Sequence, residues 1–403
     1  MAELGWIDFS PKDRSRVGSI LDLLRPEGQV DELGIGTIRD ALADQLFPGI
    51  STIQTRSKYF FIIPYILNDF LKIPLKERKK KSPTKYLEQR EYEIMWDLAD
   101  KYRDQKASGV IGITLRRGEH IVRRPSEVYW NGLNVFKCIN AKGLSANAFL
   151  KSANNMNLES LEMTIEEEGG DDVDAGFENY FNIKVPALSN WERNLDIELN
   201  KEEASFLKDA MLDLKHSVLA VVVNNLTVYE IFHTSNTFND FAQTIVNETI
   251  PVEVKKDLVL AHDFAILMDG AHIAYNQELQ QQFFKNDPFI KKWQDWYNTV
   301  RLKMIDFDGF NPDDLFVYAT TTKYPTAQFV KEWWELIRAD NLNEEKKKRI
   351  VRTQEGFSKN RKARLKWNNG FDVKEGKRIG LGLLQYRFQN AKAIVRDIIK
   401  GLE

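Results

Sequence analysis

Residues 253–284 constrain the fold more than any other part of this chain. Leu258, Val259, Phe264, Ile266, Leu267, Ile273, Ala274 and Leu279 recur there at helical spacing, but they fall on several faces instead of one stripe. A helix apolar on several faces has to sit in the middle of a domain with other helices covering it. The same periodicity predicts companion helices over residues 201–223, 236–247, 289–304, 326–339 and 383–399. Strand signals are few. Leu315-Phe316-Val317-Tyr318 leads into Thr320, Thr321 and Thr322 and is expected as one short strand. The expected class is mainly α, a multi-helix, two-part architecture with few short strands.

The N-terminal part has its own pattern. Ser10 is suited to cap a helix over residues 11–24, with Pro11 at its first position. A second helix is expected over residues 36–46, and a third from Ser51 or Thr52 to about Leu71, kinked at Pro64. Two short helices and a turn resemble a helix-turn-helix, in which the first turns of the recognition helix meet the major groove. Arg56 and Lys58 would then be contact residues. The continuation Tyr59-Phe60-Phe61-Ile62-Ile63 is too apolar for an exposed helix, so the other reading is a core helix with a polar entry. Helices are also expected over residues 86–105 and 125–138.

Residues 157–180 divide the chain. Glu159, Glu162, Glu166, Glu167, Glu168, Asp171, Asp172, Asp174 and Glu178 lie there without a lysine or arginine. An acidic connector between an N-terminal helical domain (1–156) and a C-terminal one (181–403) is expected. At 403 residues the chain is long enough for two or three cores. The formal net charge of -2 says little, because the charge is segregated along the sequence. The one cysteine, Cys138, excludes an internal disulfide and a four-thiolate zinc site. Residues 1–10 lack the basic-then-apolar order of a secretory signal, and no apolar run approaches the roughly 20 residues that span a bilayer. A cytoplasmic location with no membrane partner is expected.

Catalytic motifs are missing from the linear sequence. There is no phosphate-binding loop, and Gly34-x-Gly36 alone is a weak anion signal. His262 and His272 are ten residues apart, roughly 15 Å along a helix, too far to share one ion. Asp269 and His272 would share a face. Asp306, Asp308, Asp313 and Asp314 cluster without the lysine a two-metal nuclease needs. No nucleophile elbow is present. No catalytic residue, metal ligand or cofactor is assigned, and the chain reads as a non-enzyme.

Three basic stretches point to nucleic acid. Residues 346–378 carry thirteen lysines and arginines against Glu355, Asp372 and Glu375. Their densest part includes Lys359, Arg361, Lys362, Arg364 and Lys366, whose charges suit phosphates, and Trp367, whose ring suits base stacking. Arg116, Arg117, Arg123 and Arg124 form a second patch, and Lys76, Arg78, Lys79, Lys80, Lys81 and Lys85 a third. The plainer reading of each is a solvated surface, or a basic face covered by the acidic connector.

Several runs resemble an uncharacterised bacterial family, a domain of unknown function. They are Gly5-Trp6-Ile7-Asp8-Phe9-Ser10, Asp31-Glu32-Leu33-Gly34-Ile35-Gly36-Thr37-Ile38-Arg39-Asp40, and residues 46–60. Gly109-Val110-Ile111-Gly112, Pro125-Ser126-Glu127-Val128-Tyr129-Trp130-Asn131-Gly132-Leu133 and Gln385-Tyr386-Arg387-Phe388 add to the resemblance. It implies a gene setting beside helicases, phospholipase-D-like proteins and other phage-defence genes, and it carries no catalytic residues. The resulting expectation is an anti-phage component that binds DNA or RNA and positions a partner helicase or nuclease. The alternatives are a scaffold subunit anchored by exposed Trp293, Trp296, Trp333 and Trp334, or a metal-dependent nuclease whose site is not linear.

Overall fold

A computed structural model describes residues 30–154, 183–186, 188, 190–285, 288–304, 309–339, 341–367 and 373–403. The expected first helix and the acidic connector at 157–180 lie outside the described residues. The protein is mainly helical. In chain order the helices are α1 (Gly36–Leu46), α2 (Tyr59–Leu71), α3 (Leu75–Arg78), α4 (Pro83–Tyr102), α5 (Pro125–Val135) and α6 (Ala146–Ala153). Then come α7 (Lys201–Leu212), α8 (Val218–Asn224), α9 (Leu226–Thr234), α10 (Phe238–Ile245) and α11 (Val252–Gln280). The last are α12 (Pro288–Thr299), α13 (Pro312–Tyr318), α14 (Tyr324–Arg338), α15 (Glu344–Lys359), α16 (Arg364–Trp367) and α17 (Phe388–Leu402). Among the described residues, strand pairing is limited to one antiparallel bridge between Ile139 and Ile183.

The chain forms two compact units, each built from separated stretches. Unit 1 is Met1–Ala43 with Lys255–Tyr386, and unit 2 is Asp44–Val254 with Arg387–Glu403. The contiguous halves expected from the acidic stretch are not the compact bodies, because the C-terminal α17 packs on α7 within unit 2.

Unit 1 is organised around α11, as its apolar faces require. Leu258, Phe264, Leu267, Met268, Tyr275 and Leu279 on that helix are fully buried. Trp296 and Trp333 pack against it and donate their indole N–H groups to its Ile266 (3.2 Å) and Leu267 (3.0 Å) carbonyls. This satisfies the one polar atom that a buried tryptophan carries. Gly270 permits the approach, since a Cβ there would lie 2.2 Å from the Trp296 ring. All four tryptophans named as scaffold anchors are buried, so none is an exposed interface residue. Unit 2 buries an aromatic group of Phe47, Phe232, Phe241 and Phe388, with ring centroids 4.9–6.4 Å apart.

Local chemistry moved several boundaries. Residues 315–318 are helical, not a strand: Asn311 accepts from the Asp313 N–H (3.1 Å) and Pro312 opens α13. Capping signals outweigh the strand propensity of four residues. The single helix expected over 201–223 is two, with Ser217 capping α8 by accepting from Ala220 N–H.

The third helix starts at Tyr59, not Ser51. Side chains take the backbone groups that a helix over residues 51–58 would need. Gln54 accepts from Ser51 N–H (3.1 Å), the Tyr129 hydroxyl accepts from Thr55 (2.9 Å) and Arg56 (3.0 Å), and Asp397 accepts from Ser57 (2.9 Å). The described part of the helix-turn-helix-like segment therefore has no exposed recognition helix, and α2 is a core helix with ten buried residues.

Candidate nucleic-acid interface

The densest basic stretch folds as α15, a tight turn and α16, all in unit 1. Asn343 caps α15 by accepting from Lys346 N–H (2.8 Å), with Glu344 and Glu345 in the first turn. Both choices favour a helix N-terminus. The buried side of α15 is Lys347, Ile350, Val351, Gln354 and Glu355. Asn360 closes the helix in the left-handed region at φ 51° and turns the chain into Arg361 and Lys362.

That geometry sorts the cations. Some face inward and are neutralised. Lys347 Nζ is 2.6 Å from Glu344 and lies over the Trp293 ring at 4.3 Å. Glu32 takes Arg364 at 2.8 Å and Lys359 at 3.3 Å. Asp269 takes Arg378 at 2.7 Å. Glu355 is fully buried and accepts from the Arg364 N–H (2.7 Å), the Leu365 N–H (2.9 Å) and the Tyr275 hydroxyl (3.0 Å). Burial pushes its carboxyl above the usual range, against the pull of these donors.

Other cations face outward. Arg349, Arg361, Lys362 and Lys366 are exposed, and Lys346 is half-buried. Arg352 is exposed and bonded to Glu278. Glu355 is the one carboxylate in the sequence between 346 and 367, and it is spent inside the unit. Past the first turn of α15, where Glu344 and Glu345 are exposed, the outer surface over residues 346–367 is thus cationic without an exposed acid from its own sequence. The side chain of Trp367 lies outside the described residues.

The unit 2 candidates divide differently. Arg56 and Lys58 are buried. Arg56 bonds Asp397 (2.8 Å), Glu198 (2.9 Å) and the Ser108 carbonyl (2.6 Å). Lys58 meets both oxygens of Glu203 at 2.7 Å, and Glu203 also accepts from Tyr65 (3.0 Å). These two residues hold the helices of unit 2 together and present no charge to a ligand. Their carboxylate partners stand 142 to 341 residues away in the chain, so sequence reasoning had no signal for them.

Arg117 is exposed but pairs with Asp97 (2.5 Å) and Asp100 (3.2 Å), and Arg124 with Glu91 (3.3 Å) and Glu127 (3.2 Å). Arg116 and Arg123 remain exposed. In the third stretch Arg78 is buried and donates to the Leu71 carbonyl (2.7 Å), while Lys76, Lys79, Lys80, Lys81 and Lys85 are exposed.

His262, His272, Asp269 and Asp313, described residues suited to metal chemistry, have other partners. His262 Nδ1 lies 2.9 Å from its sequence neighbour Asp263. His272 Nδ1 lies 2.8 Å from the Met268 carbonyl, and burial pushes its pKa down to about 4. Asp269 pairs with Arg378. Among the described residues no three histidine, cysteine, aspartate or glutamate side chains gather as a metal site. Asp306 and Asp308 lie outside the described residues, and Asp313 pairs with Lys331. No described helix is long and apolar enough to cross a membrane.

Comparison with known protein families gives a match. The model of a family of unknown function, DUF6361, matches residues 1–301. No curated protein and no solved structure matches the chain.

Proposed function

The chain belongs to the DUF6361 family, whose description names no activity, and from its own surface we propose that it binds nucleic acid as a non-enzymatic component of a bacterial anti-phage system. The binding face is the outer side of α15 and the turn that follows, with Lys346, Arg349, Arg361, Lys362 and Lys366 meeting phosphates. Arg116 and Arg123 are secondary contacts. The protein's task would be to hold a partner helicase or nuclease on the bound strand. The gene setting implied by the resemblance motivates the defence role.

One observation carries the reading. Over residues 346–367 the only acidic side chain is buried and satisfied by three donors, while five cations are exposed, one of them, Arg352, bonded to Glu278. Surface charge that serves solubility is ordinarily mixed in sign along a helix. A stretch of helix and turn whose own exposed charges are all positive beyond Glu344 and Glu345 suits a polyanion, whose bound counterions are released when lysine and arginine replace them.

Salt dependence tests it. Fluorescence anisotropy with a labelled oligonucleotide should show affinity falling linearly in log–log form, with a slope of about -0.7 to -0.9 for each phosphate neutralised. A chain that binds no oligonucleotide at low salt, or whose affinity ignores salt, contradicts the proposal. Co-purification of a stoichiometric helicase or nuclease that survives nuclease treatment tests the partner role.

A further inference from the structure

The same face of unit 1 carries aromatic side chains that phosphate contacts do not require. Tyr324, at the first position of α14, is 73% exposed. Phe357, on the last turns of α15, is 37% exposed. Two large rings left in water cost apolar hydration that burial elsewhere in unit 1 avoids.

Two contacts hold these rings in one neighbourhood. Lys323, adjacent to Tyr324, places its ammonium 5.9 Å from the Phe357 ring centroid. Thr326 accepts from Gln354 (3.2 Å), fixing the start of α14 against the turn of α15 that precedes Phe357. Gly356 leaves that helix surface open, since a Cβ there would meet nothing within 4 Å. Along α15, Arg349, Thr353 and Phe357 follow at spacings of four, with Lys346 three before Arg349. Arg361 follows Phe357 by four across the turn.

Aromatic rings with cations beside them, at the start of α14 and the end of α15, with the exposed acids Glu332, Glu335, Glu344 and Glu345 toward the opposite ends of those helices, fit one kind of ligand. Bases of a single strand offer open π-faces, whereas in a duplex those faces are already stacked on one another. We propose that the α14–α15 face of unit 1 binds single-stranded nucleic acid, with Tyr324 and Phe357 as stacking platforms and Lys323, Arg349 and Arg361 on the flanking phosphates. This rests on the nucleic-acid reading above and narrows it to strands with unpaired bases. DNA and RNA share the chemistry.

The test compares three labelled probes of one sequence: single-stranded DNA, single-stranded RNA and duplex DNA. Their affinities for the full chain are measured by anisotropy at fixed salt. Wild type should prefer single strands. Tyr324→Ala should weaken single-strand binding about tenfold and change duplex binding less than twofold. Tyr324→Trp, which keeps a ring, should restore it. Tyr324 is mostly exposed, so these variants retain the fold, checked by an unchanged unfolding midpoint. Equal or better binding to duplex, or a Tyr324→Ala chain that binds single strands like wild type, overturns the inference. If Arg361→Glu still weakens binding in that event, the broader nucleic-acid reading survives. If no probe binds, both fall.

Discussion

Arg56 and Arg361 both stand in polar, basic stretches of sequence, yet they do opposite work. Arg56 is sealed in unit 2 by Asp397, Glu198 and a carbonyl. Arg361 lies exposed on unit 1 beyond the left-handed turn at Asn360. Two things separate them. Residues 59–63 after Arg56 are apolar, which draws the preceding turn into the core. Residues 346–367 instead hold a helix with one buried stripe, so the cations off that stripe stay in water. A cation's role here follows from where its nearest carboxylate folds to.

Breaking the buried side of this comparison should give the largest effect. Asp397→Ala leaves the Arg56 guanidinium and the Ser57 N–H without their partner inside unit 2. A loss of about 3–5 kcal/mol in denaturant unfolding is expected, because the buried ion pair is broken and the more exposed Glu198 alone does not replace it. A variant as stable as wild type would show that Arg56 is not held as described.

Next is Glu355, which links the buried and exposed sides of α15. Glu355→Ala strands two backbone N–H groups and the Tyr275 hydroxyl. The expected cost is about 1–3 kcal/mol, with weaker oligonucleotide binding because the turn carrying Arg361 and Lys362 loses its anchor. Undiminished binding would show that the cations act without that support.

The pH response sharpens the contrast within unit 2. Burial pushes Glu91 up to about 7, against the Ser126 backbone and hydroxyl donors and Arg124, with Glu127 adding to the rise. Its folded pKa is above its unfolded one, so the folded chain holds the proton more tightly. This site's contribution to stability is then greatest at low pH and falls as pH rises from about 4.5 to 7, levelling off above that. Unfolding midpoints at mildly acid and mildly alkaline pH should show wild type losing stability relative to Glu91→Gln. The opposite sign would contradict the assignment.

The smallest effect belongs to the exposed pairs. Arg117→Ala should shift the unfolding midpoint little or not at all, because solvent weakens its ties to Asp97 and Asp100. A larger loss would mean that these surface pairs are structural after all.

Periodicity made much of the fold legible. The many-faced apolar pattern of α11 forecast a central helix, and the tryptophans that cover it lie in helices expected near their observed bounds. Residues 51–58 were illegible for a physical reason. Their conformation is set by Tyr129 and Asp397, which propensity within the segment does not register. The candidate interface was half legible. The excess of cations over 346–378 is plain in the sequence, but their division into Glu32-bound and exposed sets depends on a carboxylate more than 300 residues earlier. Tyr324 escaped notice because the ring it is brought near, Phe357, lies on another helix.

The most direct test sets the exposed cations of unit 1 against the fold itself. Arg349→Glu, Arg361→Glu and Lys362→Glu are combined, and oligonucleotide affinity and unfolding midpoint are measured on the same preparation. The account predicts loss of binding with the midpoint unchanged, since none of the three side chains is buried. A triple variant that is folded and binds as wild type does would contradict it.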